Sequence, residues 1–341
     1  MTLDIARLTR DFGDAEAEAH AARNDAALFD FSFIARGRIS GAGAGAVLAR
    51  FQPRPVADMA PGRVRYALRL GADRAVETDL TIWRLDAETF EVMSGRSEDI
   101  AALRAHAGTD AKVADLSEAT AIFAVQGPRA LDSLAEIGAR DRLAAIPYFG
   151  HTEVQIAGVP CRIGRLGYTG ERGFEIVADT AHASRLKDAL SLRARPAGFA
   201  AADILRIEAG FILFVNECRL RPTAATLGLE RLAPGTPRNS PLRLVAFTAG
   251  KIQVRSPWQP DADIAPPTNR GEIAITSACE SIVLGKTIGL GFVLAEDAVP
   301  GTPVRDRLGR FTGVRVARKP LYDPAQKRPR GPWLDHEPCP F

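Results

Sequence analysis

Two glutamates in a glycine-rich frame are the residues most able to do chemistry in this chain. They lie in Arg165-Leu166-Gly167-Tyr168-Thr169-Gly170-Glu171-Arg172-Gly173-Phe174-Glu175-Ile176-Val177. Glu175 falls inside an otherwise apolar run, where a charge is costly unless something pairs with it. The plainer reading is an ordinary hairpin with solvated acids, and spacing alone leaves both open. Other chemistry-bearing spacings are weaker. Gly41-x-Gly43-x-x-Ala46 superficially fits a dinucleotide fingerprint, but Pro53, Pro55 and hairpin-like runs follow it instead of a crossover into a parallel strand. His336 and Cys339 share the tail, but no His or Cys spacing forms a metal pattern, so no metal site is expected.

The elements that must position these acids follow from periodicity. Cys161 to Arg165 and Phe174 to Val177 alternate on either side of Gly167, Gly170 and Gly173, which reads as strand, tight turn, strand. Upstream, Asp14–Leu28 is Ala-rich with early acids and predicts a helix. Phe29–Phe33 predicts a strand, Ala35–Ser40 continues extended, and a helix follows through Arg50. Val64–Val92 holds three strand-like runs, and Ser97–Ala107 predicts a helix closed by Gly108. Ala121–Val125 is an apolar strand running into Gln126-Gly127-Pro128, with Pro128 in the first turn of a helix carrying Leu131, Leu134 and Ile137. Three prolines and a glycine within 232–242 mark a boundary. Beyond it the runs at 242–247, 252–255, 271–276, 287–294 and 314–317 predict short strands. The tail past Lys319-Pro320 is Pro- and charge-rich and is expected to lack a core of its own.

At 341 residues the chain has room for two or three domains. A net charge of +3 is too weak to argue for nucleic acid. No apolar run reaches the ~18 residues of a membrane span, and Met1 to Ile5 lacks a basic-then-apolar signal. The four cysteines are far apart. The composition therefore predicts a cytoplasmic protein with neither a nucleic-acid nor a membrane partner.

Gly167-Tyr168-Thr169-Gly170-Glu171-x-Gly173-Phe174-Glu175-Ile176 resembles the signature of the folate-dependent aminomethyltransferase family, which includes the glycine cleavage T-protein, folate-linked demethylases and the folate domains of sarcosine and dimethylglycine dehydrogenases. Phe29-Asp30-x-Ser32, Ala124-Val125-Gln126-Gly127-Pro128, Leu205-Arg206-Ile207-Glu208-Ala209-Gly210 and Gly271-Glu272-Ile273 with Leu284-Gly285-Lys286 match its other blocks in order. The resemblance implies an α+β fold: two interleaved α+β domains plus a C-terminal β-barrel around a central folate-binding hole. The implied divisions are 1–40 with 121–235 for a discontinuous folate-binding domain, 41–120 for an inserted α+β domain, 242–320 for the barrel and 321–341 for a tail. It also implies tetrahydrofolate, or a related reduced pterin, as cofactor. The pterin would be held by Glu175, with Tyr168 at the matching turn lining the pocket or packing the hairpin.

Three departures set the expectation for activity. T-proteins carry Gly-Gly-x-x-Asp-Asp-Leu, whose first aspartate orients the reacting nitrogen; here Arg74-Ala75-Val76-Glu77-Thr78-Asp79-Leu80 puts Thr78 at that place. Acid–base work would then fall to Glu77 or Asp79, which strand alternation sets on the face opposite Thr78. Ala202 replaces an arginine that would meet the folate's acidic tail, and Asp30-Phe31-Ser32-Phe33-Ile34 stands where T-proteins read Asp-x-Ser-His-Met. These departures favour a tetrahydrofolate-dependent methyltransferase or demethylase acting on a small methylated amine, ether or sulfonium, with catalytic candidates Asp79 and Glu77, over a true glycine cleavage enzyme with a lipoyl carrier protein partner. The alternative is a non-catalytic folate- or pterin-binding protein, or an accessory subunit beside an amine dehydrogenase. The tRNA-modification helpers of this fold carry Lys-Gly-Cys-x-x-Gly-Gln-Glu, whose leading residues are missing at Phe214–Cys218.

Overall fold

The computed structural model describes residues 3–250 and 252–333; His336 and Cys339 lie outside the described residues. Three sheets organise the chain, with helices against them, giving a mixed α+β architecture. The first sheet is built from 27–30, 120–126, 151–156, 159–164, 173–179 and 195–197. Its central strand, Thr120–Gln126, is buried along its whole length, as its unbroken apolar run requires. It pairs with Gly173–Asp179 and so fixes the register of the signature hairpin, setting Glu175 opposite Ala124.

The second sheet takes 35–40, 64–70, 76–84, 89–94 and 112–115. Its pairs are antiparallel throughout, which removes the parallel crossover a dinucleotide fold needs. Gly41 and Gly43 instead let a loop approach Asp110: a Cβ on Gly41, whose φ is +112°, would lie 2.6 Å from the Asp110 carbonyl oxygen. Strand Ala35–Ser40 belongs to this sheet, paired with Thr89–Ser94 and Lys112–Asp115. It is therefore separated from the first-sheet strands with which the 1–40 division groups it. The third sheet, ordered 305–306, 272–280, 287–294, 242–249 and 315–317, curls into a half-barrel.

Local chemistry moved several expected boundaries. The strand starting at Ala27 ends at Asp30, because the Asp30 carboxylate accepts from the Ser32 N–H and turns the chain. That turn throws Phe31, Phe33 and Ile34 together. The 252–255 run is no strand; the Ile252 N–H and carbonyl are both met by the Thr287 hydroxyl. The tail does not stand apart from a core. Tyr322 is buried and Trp333 stacks on Phe174 with ring centroids 4.8 Å apart, so residues 319–333 strap the back of the signature hairpin. No helix among the described residues is long and apolar enough to cross a membrane.

Candidate functional site

Where the first and second sheets meet, two chambers share Tyr66, Asp79, Phe149, Gly167, Tyr168 and Ile212. The inner chamber, about 170 Å³, is walled by Phe31, Phe33, Ile34, Met93, Phe199 and Phe214 and receives Glu175. The outer one, about 420 Å³, runs past Tyr148, Leu227 and Lys319 to Arg330. The shared residues form the waist of one channel.

Asp79 reaches that waist through strand pleating. In Val76–Arg84 the burial pattern alternates, with Thr78 fully buried on one face and Asp79 and Thr81 on the chamber face. The paired strand sets Leu68 opposite Asp79 and Tyr66 one diagonal away, and the Tyr66 hydroxyl donates to Asp79 Oδ2 at 3.0 Å. Burial pushes the Asp79 carboxyl up to about 6; the Tyr66 hydrogen bond opposes the rise, and repulsion from Glu217 and Asp99 adds to it. An acid poised there can hold or release a proton near neutral pH.

Glu175 enters the inner chamber between Ala124 and Gly164, its two cross-strand neighbours. Neither carries a side chain large enough to cover it. No hydrogen bond or ion pair involves its carboxyl group among the described residues, and burial alone pushes it up to about 7. A carboxylate with both oxygens unengaged on a cavity wall fits a ligand that brings its own donors.

The hairpin holding Glu175 is braced by Gln126, a residue that sequence reasoning placed only in a matching string. Thr169 Oγ1 donates to Gln126 Oε1 at 2.9 Å, and Gln126 Nε2 donates to the Leu166 carbonyl at 3.1 Å. Gly167 and Gly173 make room: a Cβ on either would sit 1.9 or 2.5 Å from the Gln126 amide. The glycines flanking the turn were the available signal. Tyr66 gave none, lying outside the blocks that carried the resemblance.

The remaining predicted residues separate. Tyr168 lines both chambers, with its hydroxyl donated to the Ile212 carbonyl and its ring stacked on Phe211 at 6.0 Å. Glu77 lines neither chamber; it faces Arg96 at 3.2 Å and Arg69 at 4.0 Å. Ala202 is fully buried in the core between the first sheet and its helices, so the arginine absent there is no loss from the channel wall. Thr78 likewise points away from the channel, and the aspartate one place on is the one presented to it. Of the two acids expected to do acid–base work on this strand, Asp79 and not Glu77 lies on the channel. Glu171 lies behind the hairpin with Arg23 and Arg328, each at 3.5 Å, and accepts from the Tyr322 hydroxyl. It anchors the tail. Arg206 pairs with Asp203 at 2.8 Å and Glu217 at 3.1 Å.

Comparison with known proteins supplies the context of this site. Residues 8–234 match the family model of the GCVT N-terminal domain. An aminomethyltransferase of Streptomyces avermitilis is 33% identical over 321 residues, covering 85% of this chain and 84% of that protein. One from Saccharopolyspora erythraea is 32% identical over 337 residues, covering 91% and 90%. The crystal structure of glycine cleavage system aminomethyltransferase T from Bartonella henselae superposes with a TM-score of 0.74 at 24% identity, covering 91% of this chain and 90% of its own, which shows the same fold.

Proposed function

This chain belongs to the folate-dependent aminomethyltransferase family, and from that membership we propose that it is a tetrahydrofolate-dependent methyltransferase for a small methylated donor. The observation that carries the reading is that Asp79 and Glu175 face one channel, with no cation among the described residues lining the inner chamber. Bound tetrahydrofolate would supply the nitrogen that accepts the one-carbon unit. Glu175 holds the pterin edge: its two oxygens take adjacent N–H donors, and the burial that raises its pKa makes those bonds stronger than they would be in water. Tyr168 and Phe149 flank the waist and confine the ring. The outer chamber, with Lys319 and Arg330 on its wall, suits the acidic end of the molecule.

Asp79 takes the acid–base role. It sits where inner and outer chambers meet, and the Tyr66 hydroxyl fixes the orientation of its carboxylate. As the carboxylate it accepts the proton displaced when the carbon is received. The apolar inner chamber excludes competing water and holds donor and acceptor in line, which accounts for much of the rate in a displacement. Glu77, held by arginines outside the channel, takes no part.

Aminomethyl transfer is a second reading, favoured by the register of Asp79, which puts a carboxyl group at the waist although Thr78 holds the first-aspartate place. One experiment separates the two. Incubation with tetrahydrofolate and isotopically labelled methylated donors should give labelled 5-methyltetrahydrofolate, abolished by Asp79→Asn. Formation of 5,10-methylenetetrahydrofolate from an aminomethyl-lipoyl carrier, with no methyl product, would replace the first reading by the second.

A further inference from the structure

Phe31, Phe33 and Phe199 form an aromatic corner on one wall of the chamber. The ring centroids of Phe31 and Phe33 are 5.9 Å apart and those of Phe33 and Phe199 6.2 Å, each pair crossing at 75°. All three rings line the chamber that also holds Asp79 and Glu175, the only charged groups among its described lining residues. The Tyr66 and Tyr168 hydroxyls are engaged with Asp79 and the Ile212 carbonyl. The chamber thus offers aromatic faces and negative charge, and no positive charge.

We propose that this corner is a site for a methylated ammonium group, so that the one-carbon donor is a tertiary or quaternary methylamine carrying no carboxylate. The proposal rests on the transfer reading above. Rings set at 75° to one another turn π surface in more than one direction along the wall they share, and a methylated ammonium leaves water cheaply because it has few or no N–H bonds to satisfy. Asp79 and Glu175 add attraction across a chamber of low polarity. A donor with its own carboxylate would bring a third anion against these two. Arg7 and Lys187 line a separate groove that shares the phenylalanines, and they pair with Asp4 and Asp30, each at 3.0 Å. They do not reach the chamber. For a quaternary donor the transfer balances without an oxidant. The donor N–CH3 bond breaks and the N5–CH3 bond forms. The electron pair of the broken bond stays on the donor nitrogen, which departs as a neutral amine, and the N5 proton passes to the Asp79 carboxylate.

The test is calorimetric binding to the full chain without folate, using tetramethylammonium, its neutral counterpart tert-butanol, and the carboxylated trimethylglycine. Tetramethylammonium should bind about tenfold tighter than either. Phe33→Leu should remove most of that preference, and Phe33→Trp should keep it, which distinguishes loss of a π face from misfolding. Equal binding of tert-butanol would reduce the corner to a hydrophobic wall, and equal binding of trimethylglycine would overturn the carboxylate-free donor class. No tetramethylammonium binding by protein that still binds tetrahydrofolate would overturn the donor site alone. Loss of tetrahydrofolate binding in a parallel titration would instead count against the transfer reading.

Discussion

Replacing Glu175 by glutamine should stabilise the ligand-free protein in alkaline but not in acidic solution. Burial raises the Glu175 carboxyl from an ordinary 4.5 to about 7, with no partner offsetting the rise. A group whose folded pKa is raised in this way binds more protons when folded than when unfolded between those two values. Stability therefore falls as pH rises from about 4.5 to about 7, and the penalty is complete above that window. Converted at about 1.4 kcal/mol per unit, the shift sets an upper bound of roughly 3 kcal/mol. Glu175 is half-buried on the chamber wall, so solvent screening lowers the figure, and a gain of about 1–3 kcal/mol is expected for Glu175→Gln at pH 8. For a chain of this length that is a rise in Tm of roughly 1–4 °C. At pH 4.5 or below, where the wild-type carboxyl is protonated when folded, the gain should fall to within about 0.5 kcal/mol of zero. Denaturant unfolding of both proteins at the two pH values measures the difference, and effects of the other titrating groups cancel between them. An equal effect at both pH values, or destabilisation at pH 8, would refute an unpartnered buried carboxylate at this position. The gain should come with loss of pterin binding, because an amide offers one acceptor where the carboxylate offers two.

Further predictions follow from the same geometry. Transfer activity should rise with pH through about 6 as Asp79 ionises, and Tyr66→Phe should move that midpoint upward in a pH–rate profile by removing the hydrogen bond that favours the carboxylate. Thr78→Asp should restore nothing to the channel; it buries a charge in a fully enclosed face and should cost about 2–4 kcal/mol in chemical unfolding. Arg23→Met should cost about 3–5 kcal/mol, since it removes the buried cation that Glu171 and Glu208 share, and limited proteolysis should then release the 319–333 strap. Glu77→Gln should leave activity within about twofold, as measured by product formation, because the group meets only arginines outside the channel.

The signature hairpin was legible because its glycines and alternation dictate a turn between two strands, and the resemblance supplied the topology that periodicity could not. What remained hidden depended on register and on distant partners. The string Glu77-Thr78-Asp79 shows which residues share a face but not which face meets the cavity, and that depends on the pairing of Asp79 with Leu68 across the sheet. Ala202 sits on a helix buried all round, so its match to an arginine could not reveal the direction it points. Phe31, Phe33 and Ile34 read as strand by alternation, yet one Asp30 side-chain hydrogen bond converts them into a turn that lines the chamber. Composition could not show where the tail docks: Tyr322 and Trp333 find their partners on Glu171 and Phe174, about 150 residues upstream.

The most direct test of the account is a calorimetric titration of tetrahydrofolate into wild-type protein and Glu175→Ala. Binding by the wild type that weakens at least a hundredfold in the mutant, equivalent to about 3 kcal/mol of charge-assisted hydrogen bonding, is the predicted result. Equal binding by both proteins would place the pterin elsewhere. No binding by the wild type would contradict a tetrahydrofolate-dependent role for this channel.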